Sequence, residues 1–184
     1  MKQNKYDDNA FFRKYSQMDR SVKGLEGAGE WKTLERLLPD FRDRHVLDLG
    51  CGFGWHCRYA AEHGAASVLG VDISAKMIAK ARSMGNEGII EYRCMPMEDI
   101  LLPEASFDIV LSSLAFHYTP DFQAVCRNVS RWLKPEGAFI FSVEHPVFTA
   151  QGTQDWHYDE SGQIMHWPVD GYFMEGPRFS WGRK

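Results

Sequence analysis

The ten residues from His45 to Gly54, His-Val-Leu-Asp-Leu-Gly-Cys-Gly-Phe-Gly, constrain this chain more than any other stretch. Val46 to Leu49 is a short apolar run broken by one acid, the pattern of a strand buried in a parallel sheet. Glycines follow at positions 50, 52 and 54, and Trp55 to His63 then reads as a helix closed by Gly64. Strand, glycine turn and helix in that order bring backbone N–H groups close to a ligand. A second strand, Ser67 to Asp72, ends in an acid about twenty residues after the first glycine, where a ribose hydroxyl pair is held in nucleotide-type sites. The glycine spacing narrows the ligand. A dinucleotide fingerprint, G-x-G-x-x-G, calls for glycine at position 55, and position 55 is Trp, whose indole crowds the approach of a pyrophosphate.

The rest of the chain repeats the alternation of strand and helix. Ser74 is a good N-cap for a helix over Ala75 to Met84, with Met77, Ile78 and Ala81 on one side and Gly85 at its end. Ile89 to Cys94 reads as a third strand and Phe107 to Ser112 as a fourth. Thr119-Pro120 reads as an N-cap with proline at the first helical position, opening a helix that turns Phe122, Val125, Val129, Trp132 and Leu133 inward. Lys134 to Gly137 reads as a turn and Ala138 to Val143 as a fifth strand. Five alternations predict a doubly wound α/β sheet in the order 3-2-1-4-5, mostly parallel, with its ligand crevice at the carboxyl ends of strands 1 and 4.

On either side of this core, residues 40 to 145, the chain changes character. Residues 1 to 9 read as loose. Phe11, Phe12, Tyr15 and Met18 recur at helical spacing over Ala10 to Asp19, as a stripe packed on the domain or as a cap on the cofactor cleft with Tyr15 reaching a polar group. Ser21 to Gly29 carries three glycines and reads as a loop; Trp31, Leu34, Leu37 and Leu38 form a helical face stopped by Pro39. Residues 146 to 184 hold Phe148, Trp156, Tyr158, Trp167, Tyr172, Phe173, Phe179 and Trp181 without a period of 2 or 3.6, and Pro168 and Pro177 interrupt them. This reads as an irregular aromatic segment on the substrate side of a single domain spanning 1 to 184, with 1 to 29 as its N-terminal cap.

Composition bounds the partners. A formal net charge of −4 and the lack of a basic block argue against a nucleic-acid partner. No apolar run is long enough to span a membrane, and Met1 to Asn9 lacks a signal-peptide core, so a cytoplasmic address is expected. The four cysteines, Cys51, Cys57, Cys94 and Cys126, form no C-x-x-C pair, so they read as reduced thiols and no metal site is expected.

The pattern Val46-Leu47-Asp48-Leu49-Gly50-Cys51-Gly52-Phe53-Gly54, with Val71-Asp72-Ile73-Ser74 downstream, resembles the class I S-adenosylmethionine-dependent methyltransferases of small-molecule type. Ser106 to Val110, Ser112 to His117 and Trp132 to Gly137 extend the resemblance over residues 40 to 145. By that resemblance, S-adenosylmethionine is the cofactor and S-adenosylhomocysteine its product. Gly50, Cys51 and Gly52 would lie against the methionine part, Asp48 would hold the methionine amino end directly or through water, and Asp72 would take the ribose hydroxyls. Ile73 would pack on adenine, the Met97 N–H would bond the adenine edge, and the Leu114 carbonyl would sit near the methionine amino group. The family acid that accepts from the adenine amino group falls on Pro96, with Glu98 the nearest replacement. The family's sixth and seventh strands, a hairpin beside strand 5, read as lacking or incomplete, so the chain reads as truncated and strand 5 as an open edge available to a homodimer.

Methyl transfer needs alignment of two reactants, and a base only where the nucleophile must lose a proton. His117 and Tyr118 after strand 4, and Glu144 and His145 after strand 5, are the candidates for that base, His117, His145 and Glu144 foremost; for both histidines a role as hydrogen-bonded structural residues is the favoured reading. The expected function is methyl transfer to a small-molecule acceptor. The alternatives are a catalytically silent S-adenosylmethionine- or S-adenosylhomocysteine-binding protein and, less favoured because of Trp55, a nicotinamide-dependent oxidoreductase.

Overall fold

The computed structural model describes residues 4–85, 88–150, 154–174 and 176. Five parallel strands form the main sheet: β1 (His45–Leu49), β2 (Ser67–Asp72), β3 (Ile90–Cys94), β4 (Phe107–Ser113) and β5 (Leu133–Ser142). Their order is β3-β2-β1-β4-β5, as the alternation of elements predicts. β1 lies at the centre, with Val46 opposite Val68 of β2 and Ile109 of β4. Its side chains alternate across the sheet. Val46 joins one apolar cluster with Cys57 and Ala60 of α4 (Trp55–Glu62) and Ile78 and Ala81 of α5 (Ala75–Ser83). Leu47 and Leu49 join the other, with Val125, Val129 and Trp132 of α6 (Phe122–Trp132). Both faces are thus covered, and this is why the central strands read as nearly continuous apolar runs.

Local chemistry accounts for the boundaries. Ser74 caps α5, its hydroxyl accepting from the Met77 N–H at 3.2 Å. The cap of α6 is Asp121, whose carboxylate accepts from the Ala124 N–H at 2.8 Å; this corrects the Thr119-Pro120 expectation. Thr119 instead closes a 3-10 turn over Phe116–Tyr118. Phe122 is correspondingly half-exposed rather than inward, although its ring still meets Phe116 at 5.4 Å. The expected turn at Lys134 to Gly137 is a bulge within β5: Phe107 pairs with Leu133, and the next registered pair is Ile109 with Ala138.

The N-terminal region is more ordered than the sequence reading. Lys5–Asp7 forms a helical turn ahead of α1 (Asn9–Ser16). The expected loop after it holds α2 (Asp19–Val22) and a 3-10 turn, Gly24–Gly27, before α3 (Trp31–Leu34). Elements this short carry no readable period, which is why the glycines there read as loop.

By contacts the chain divides into two units, Met1–Val143 and Glu144–Lys184. In the second, the 3-10 turn Pro146–Thr149 is followed by β6 (His157–Tyr158) and β7 (Ile164–His166), a small antiparallel pair that forms its own sheet. Among the described residues no sixth or seventh strand joins the main sheet. Trp167 donates its indole N–H to the Val147 carbonyl at 3.0 Å and meets Phe148 and Trp156 edge-on, so the aromatics build a small cluster of their own. Pro177, Phe179 and Trp181 lie outside the described residues.

Candidate functional site

The loop joining β1 to α4 is the centre of the site. Gly50 and Cys51 both donate their N–H to the Val71 carbonyl, at 2.8 and 3.0 Å, and the Gly54 N–H goes to the Cys51 carbonyl at 2.8 Å. The Gly52 N–H goes to Asp72 Oδ2 at 2.9 Å. Four backbone donors of the turn, from Gly50, Cys51, Gly52 and Gly54, are therefore spent inside the fold. The carbonyls of Gly50 and Gly52 accept no hydrogen bond among the described residues. A loop with its donors used and carbonyls left over suits a cation; a pyrophosphate needs the opposite.

Two of the glycines do different work. Gly50 has φ +77°, and a Cβ there would stand 2.3 Å from the Ala115 Cβ, so glycine lets the end of β4 close on the loop. Gly52 has φ +53° with nothing within 4 Å of a built Cβ, so that side of the loop is open. The end of β4 is pinned by Ser112, whose hydroxyl donates to the Leu49 carbonyl at 2.7 Å. Leu114 follows at φ +52° and gives its N–H to the Ser142 carbonyl at 2.9 Å. The Met97 methyl stands 3.7 Å from the Gly50 Cβ position, which brings the segment after β3 to the loop.

Two carboxylates frame the loop in different environments. Asp72 ends β2 and is held by two backbone donors, Gly52 N–H to Oδ2 and Ser74 N–H to Oδ1, the latter at 2.8 Å. Burial pushes its pKa up and those two bonds oppose the rise. Each oxygen keeps a lone pair for a further donor such as a hydroxyl. Asp48 is 1% exposed, and the one hydrogen bond it receives among the described residues comes from the Cys57 thiol at 3.3 Å. Burial pushes its pKa up to about 7. A buried carboxylate with no cation beside it is costly, so this position favours a positively charged ligand group. The Cys51 thiol, buried next to it, is pushed up to about 11 and stays protonated.

The N-terminal segment reaches the same place. Asp7 accepts from the Ser74 hydroxyl at 2.6 Å and the Lys76 N–H at 3.1 Å, so it adds a second cap to α5. Tyr6 meets Tyr15 edge-on at 5.2 Å, and its hydroxyl lies 3.2 Å from that of Tyr118. Tyr15 in turn packs on Phe53 of the glycine loop at 5.7 Å. Burial raises the Tyr15 pKa, and the charges of Arg20 and Asp72 both act on it. Tyr6 and Asp7 escaped sequence reasoning because the first nine residues look polar and aperiodic. Arg20 and Glu30, an ion pair joined to Ser113, escaped it too; the one signal was the glycine cluster between them.

The first unit thus brings together Tyr15, Asp48, Gly50, Cys51, Gly52, Asp72, Met97 and Leu114. Ile73 follows Asp72 directly, and its carbonyl accepts from Asn4 Nδ2 at 3.4 Å. Glu98 is half-buried in the turn closed by the Asp99 N–H on the Pro96 carbonyl at 3.1 Å. His117 is exposed in the turn after β4, its ring 4.3 Å from that of Tyr118. Glu144 and His145 begin the second unit. There His145 Nδ1 accepts from the Val147 N–H at 3.2 Å, and the ring stacks on Tyr172 at 6.3 Å. That nitrogen is engaged as a cap of the turn Pro146–Thr149.

Comparison with known proteins agrees with this geometry. Residues 47–141 match a family model described as a methyltransferase domain. A Listeria monocytogenes crystal structure assigned to the S-adenosylmethionine-dependent methyltransferases is 54% identical, with a TM-score of 0.80 over 85% of this chain and 71% of that one. A Mesorhizobium loti S-adenosylmethionine-dependent methyltransferase is 46% identical, with a TM-score of 0.76 over 84% and 70%. The ubiquinone biosynthesis O-methyltransferase of Neisseria meningitidis serogroup C is 31% identical, over 85% of this chain and 78% of its own length. With the fold, the two framing carboxylates and a family match that spans more than half of its length, this chain belongs to the class I S-adenosylmethionine-dependent methyltransferases.

Proposed function

We propose that this methyltransferase acts on a small-molecule acceptor, with the cofactor laid across the carboxyl ends of β1, β2 and β4. The observation that carries the reading is the loop itself: its N–H groups are spent, Gly52 is open, and a carboxylate with free lone pairs closes it on the β2 side. Asp72 would hold the ribose hydroxyls. Asp48 and the Gly50 and Gly52 carbonyls would face the positively charged methionine amino end, Ile73 and Met97 the adenine, with Glu98 the adenine-side acid. Tyr15 would cover the ribose.

When bound, S-adenosylmethionine supplies a methyl group on a positively charged sulfur, ready for displacement by a nucleophile. What this chain contributes is position and exclusion of water. Asp48 and Asp72 would hold its two ends, while Tyr6, Tyr15 and Phe53 of the loop pack edge-on in a row that would wall the site. His117 is the proposed base on the first unit, for an acceptor that must lose a proton; Glu144 and His145 remain the proposals on the second. The proposal includes a cytoplasmic enzyme with no nucleic-acid partner and no resident metal. It also includes a homodimer through β5, where Phe141 is exposed, as is Val143 just after the strand.

The test is a thermal-shift comparison followed by an acceptor screen read by S-adenosylhomocysteine release. At a hundredfold excess over its dissociation constant, S-adenosylhomocysteine should stabilise the fold by about 2.7 kcal/mol, and NADH should leave it unchanged. A melting shift with NADH and none with S-adenosylhomocysteine would overturn the cofactor reading. Turnover on no acceptor despite tight cofactor binding would favour the silent binder.

A further inference from the structure

The turn that follows β2 is held from outside by the N-terminal segment. The Ser74 hydroxyl donates to Asp7 Oδ1 at 2.6 Å, and the Lys76 N–H donates to the same oxygen at 3.1 Å. Asp7 Oδ2 accepts from the Ala75 N–H at 3.4 Å and from Asn4 Nδ2 at 2.7 Å. Asn4 Nδ2 also reaches the Ile73 carbonyl at 3.4 Å, and Lys76 Nζ donates to the Asp7 carbonyl at 2.6 Å. Residues 73 to 76 are thus clasped by residues 4 to 7. The clasp is anchored across the crevice as well. The Tyr6 hydroxyl lies 3.2 Å from that of Tyr118, beyond the end of β4, so Asp7 is tied on both sides.

Starting α5 does not require this clasp, because Ser74 already caps that helix through the Met77 N–H at 3.2 Å. What Asp7 decides is where the Ser74 proton goes. A hydroxyl has one proton to donate. Ser74 gives it to Asp7, while its backbone N–H goes to Asp72 Oδ1 at 2.8 Å. Asp72 is then left with that N–H and the Gly52 N–H as its donors among the described residues, one to each oxygen. Asp7 is in the ionised form this arrangement needs. Burial works to raise its pKa, but the donors from Ser74, Lys76 and Asn4 outweigh it and hold the carboxyl below its ordinary value.

We propose that Asp7 is a positioning residue for cofactor binding, acting through Ser74 to hold the Asp72 carboxylate ready for the two ribose hydroxyls. The proposal rests on the cofactor reading above. Without Asp7 the Ser74 hydroxyl loses its acceptor, and Asp72, bonded to the N–H of the same residue, becomes the carboxylate of that turn to which it can turn. A lone pair needed by the ligand is then taken by the protein, and the turn itself is released from the N-terminal segment.

The test is a double-mutant cycle on the full chain, read as the dissociation constant of S-adenosylhomocysteine by calorimetry. Asp7→Ala should weaken binding about fivefold or more in the unaltered background. In an Asp72→Ala background, where no carboxylate remains to be positioned, it should change binding by less than about twofold. Loss of a helix cap lowers the melting temperature in both backgrounds, so affinity decides. Asp7→Asn keeps Oδ1 for Ser74 and Lys76 as a weaker acceptor. It should lose about threefold in the first background and nothing in the second, and it replaces Asp7→Ala if that variant melts early. Equal losses in the two backgrounds, or unchanged affinity in the Asp7 variants, would overturn the positioning role. If the unaltered protein does not bind S-adenosylhomocysteine, or if Asp72→Ala binds it undiminished, the cofactor or ribose reading has failed and the role of Asp7 falls with it.

Discussion

If Asp48 faces the methionine ammonium, as proposed, cofactor affinity should depend on pH. The residue is 1% exposed, with a thiol as its one hydrogen-bond donor among the described residues, and burial raises its pKa from the ordinary 3.8 to about 7. The groups that face it from the neighbouring elements are Cys57, protonated well into the alkaline range, and Asp72, whose negative charge adds to the rise. A methionine ammonium against Asp48 favours the ionised form, so binding below pH 7 must expel a proton. At about pH 6 only about one molecule in ten carries the charge, and affinity for S-adenosylhomocysteine should fall by about tenfold from its value at pH 8. Asp48→Asn should bind more weakly at pH 8 and lose the pH dependence. The apo protein gives an independent check. Between pH 4 and 7 the folded state holds a proton that the unfolded state has released, so stability falls as pH rises through this window and levels off above pH 7. The full difference is about 4 kcal/mol, as an upper limit from the two pKa values at 1.36 kcal/mol per tenfold. Asp48→Asn should therefore raise apo stability at pH 8 and leave it nearly unchanged at pH 4. Calorimetry in two buffers of different ionisation heat counts the released proton. A flat affinity from pH 6 to 8, with no proton released, would refute the reasoning.

Two further substitutions separate fold from ligand. Gly50→Ala places a Cβ 2.3 Å from that of Ala115 at φ +77° and should cost on the order of 2–5 kcal/mol in urea unfolding. Gly52→Ala meets nothing within 4 Å and should cost about 1–2 kcal/mol for its φ alone, yet weaken S-adenosylhomocysteine because its methyl enters the ligand side. Asp72→Ala removes the acceptor proposed for the two ribose hydroxyls and should weaken binding at least about tenfold while the apo protein stays folded; unchanged affinity by calorimetry would move the ribose elsewhere.

The sequence made the five strands legible because each is an apolar run bounded by a turn signal, and the central one announces its neighbours through its glycines. The strand order followed from the alternation of strands with helices. Boundaries set by a single side chain were harder. Thr119 and Asp121 are both cap residues two positions apart, and only the Ala124 N–H, which reaches Asp121, decides between them. The glycine loop was placed correctly and its polarity misread: nothing in Gly-Cys-Gly-Phe-Gly reveals that two of its N–H groups turn back on the Val71 carbonyl. Arg20 and Glu30 stayed invisible because their meeting depends on α2 and the turn after it, elements too short for periodicity. The aromatic C-terminal segment was read as irregular, and the two strands among its described residues are only two and three residues long.

The misread polarity bears on how one sheet architecture serves two kinds of cofactor. Dinucleotide and methyl-donor sites share a β1 strand, a glycine turn and an acid at the end of β2. A pyrophosphate requires the turn to present N–H groups at a helix N-terminus. Here the turn folds those groups inward, onto Val71 and Asp72, and places a carboxylate beneath itself at Asp48. The local potential is thereby reversed from anion-receiving to cation-receiving without any change in topology. Trp55 belongs to the same reversal. Its indole fills the position where a third glycine would let a phosphate approach, and it carries the Arg58 guanidinium 4.3 Å from its ring centroid. Arg58 donates to the Phe53 carbonyl at 3.0 Å, which ties the indole, the loop and the helix into one unit. Restoring glycine at 55 alone would remove that unit and leave Asp48 in place, so it would not create a pyrophosphate site; the carboxylate under the loop would still repel one.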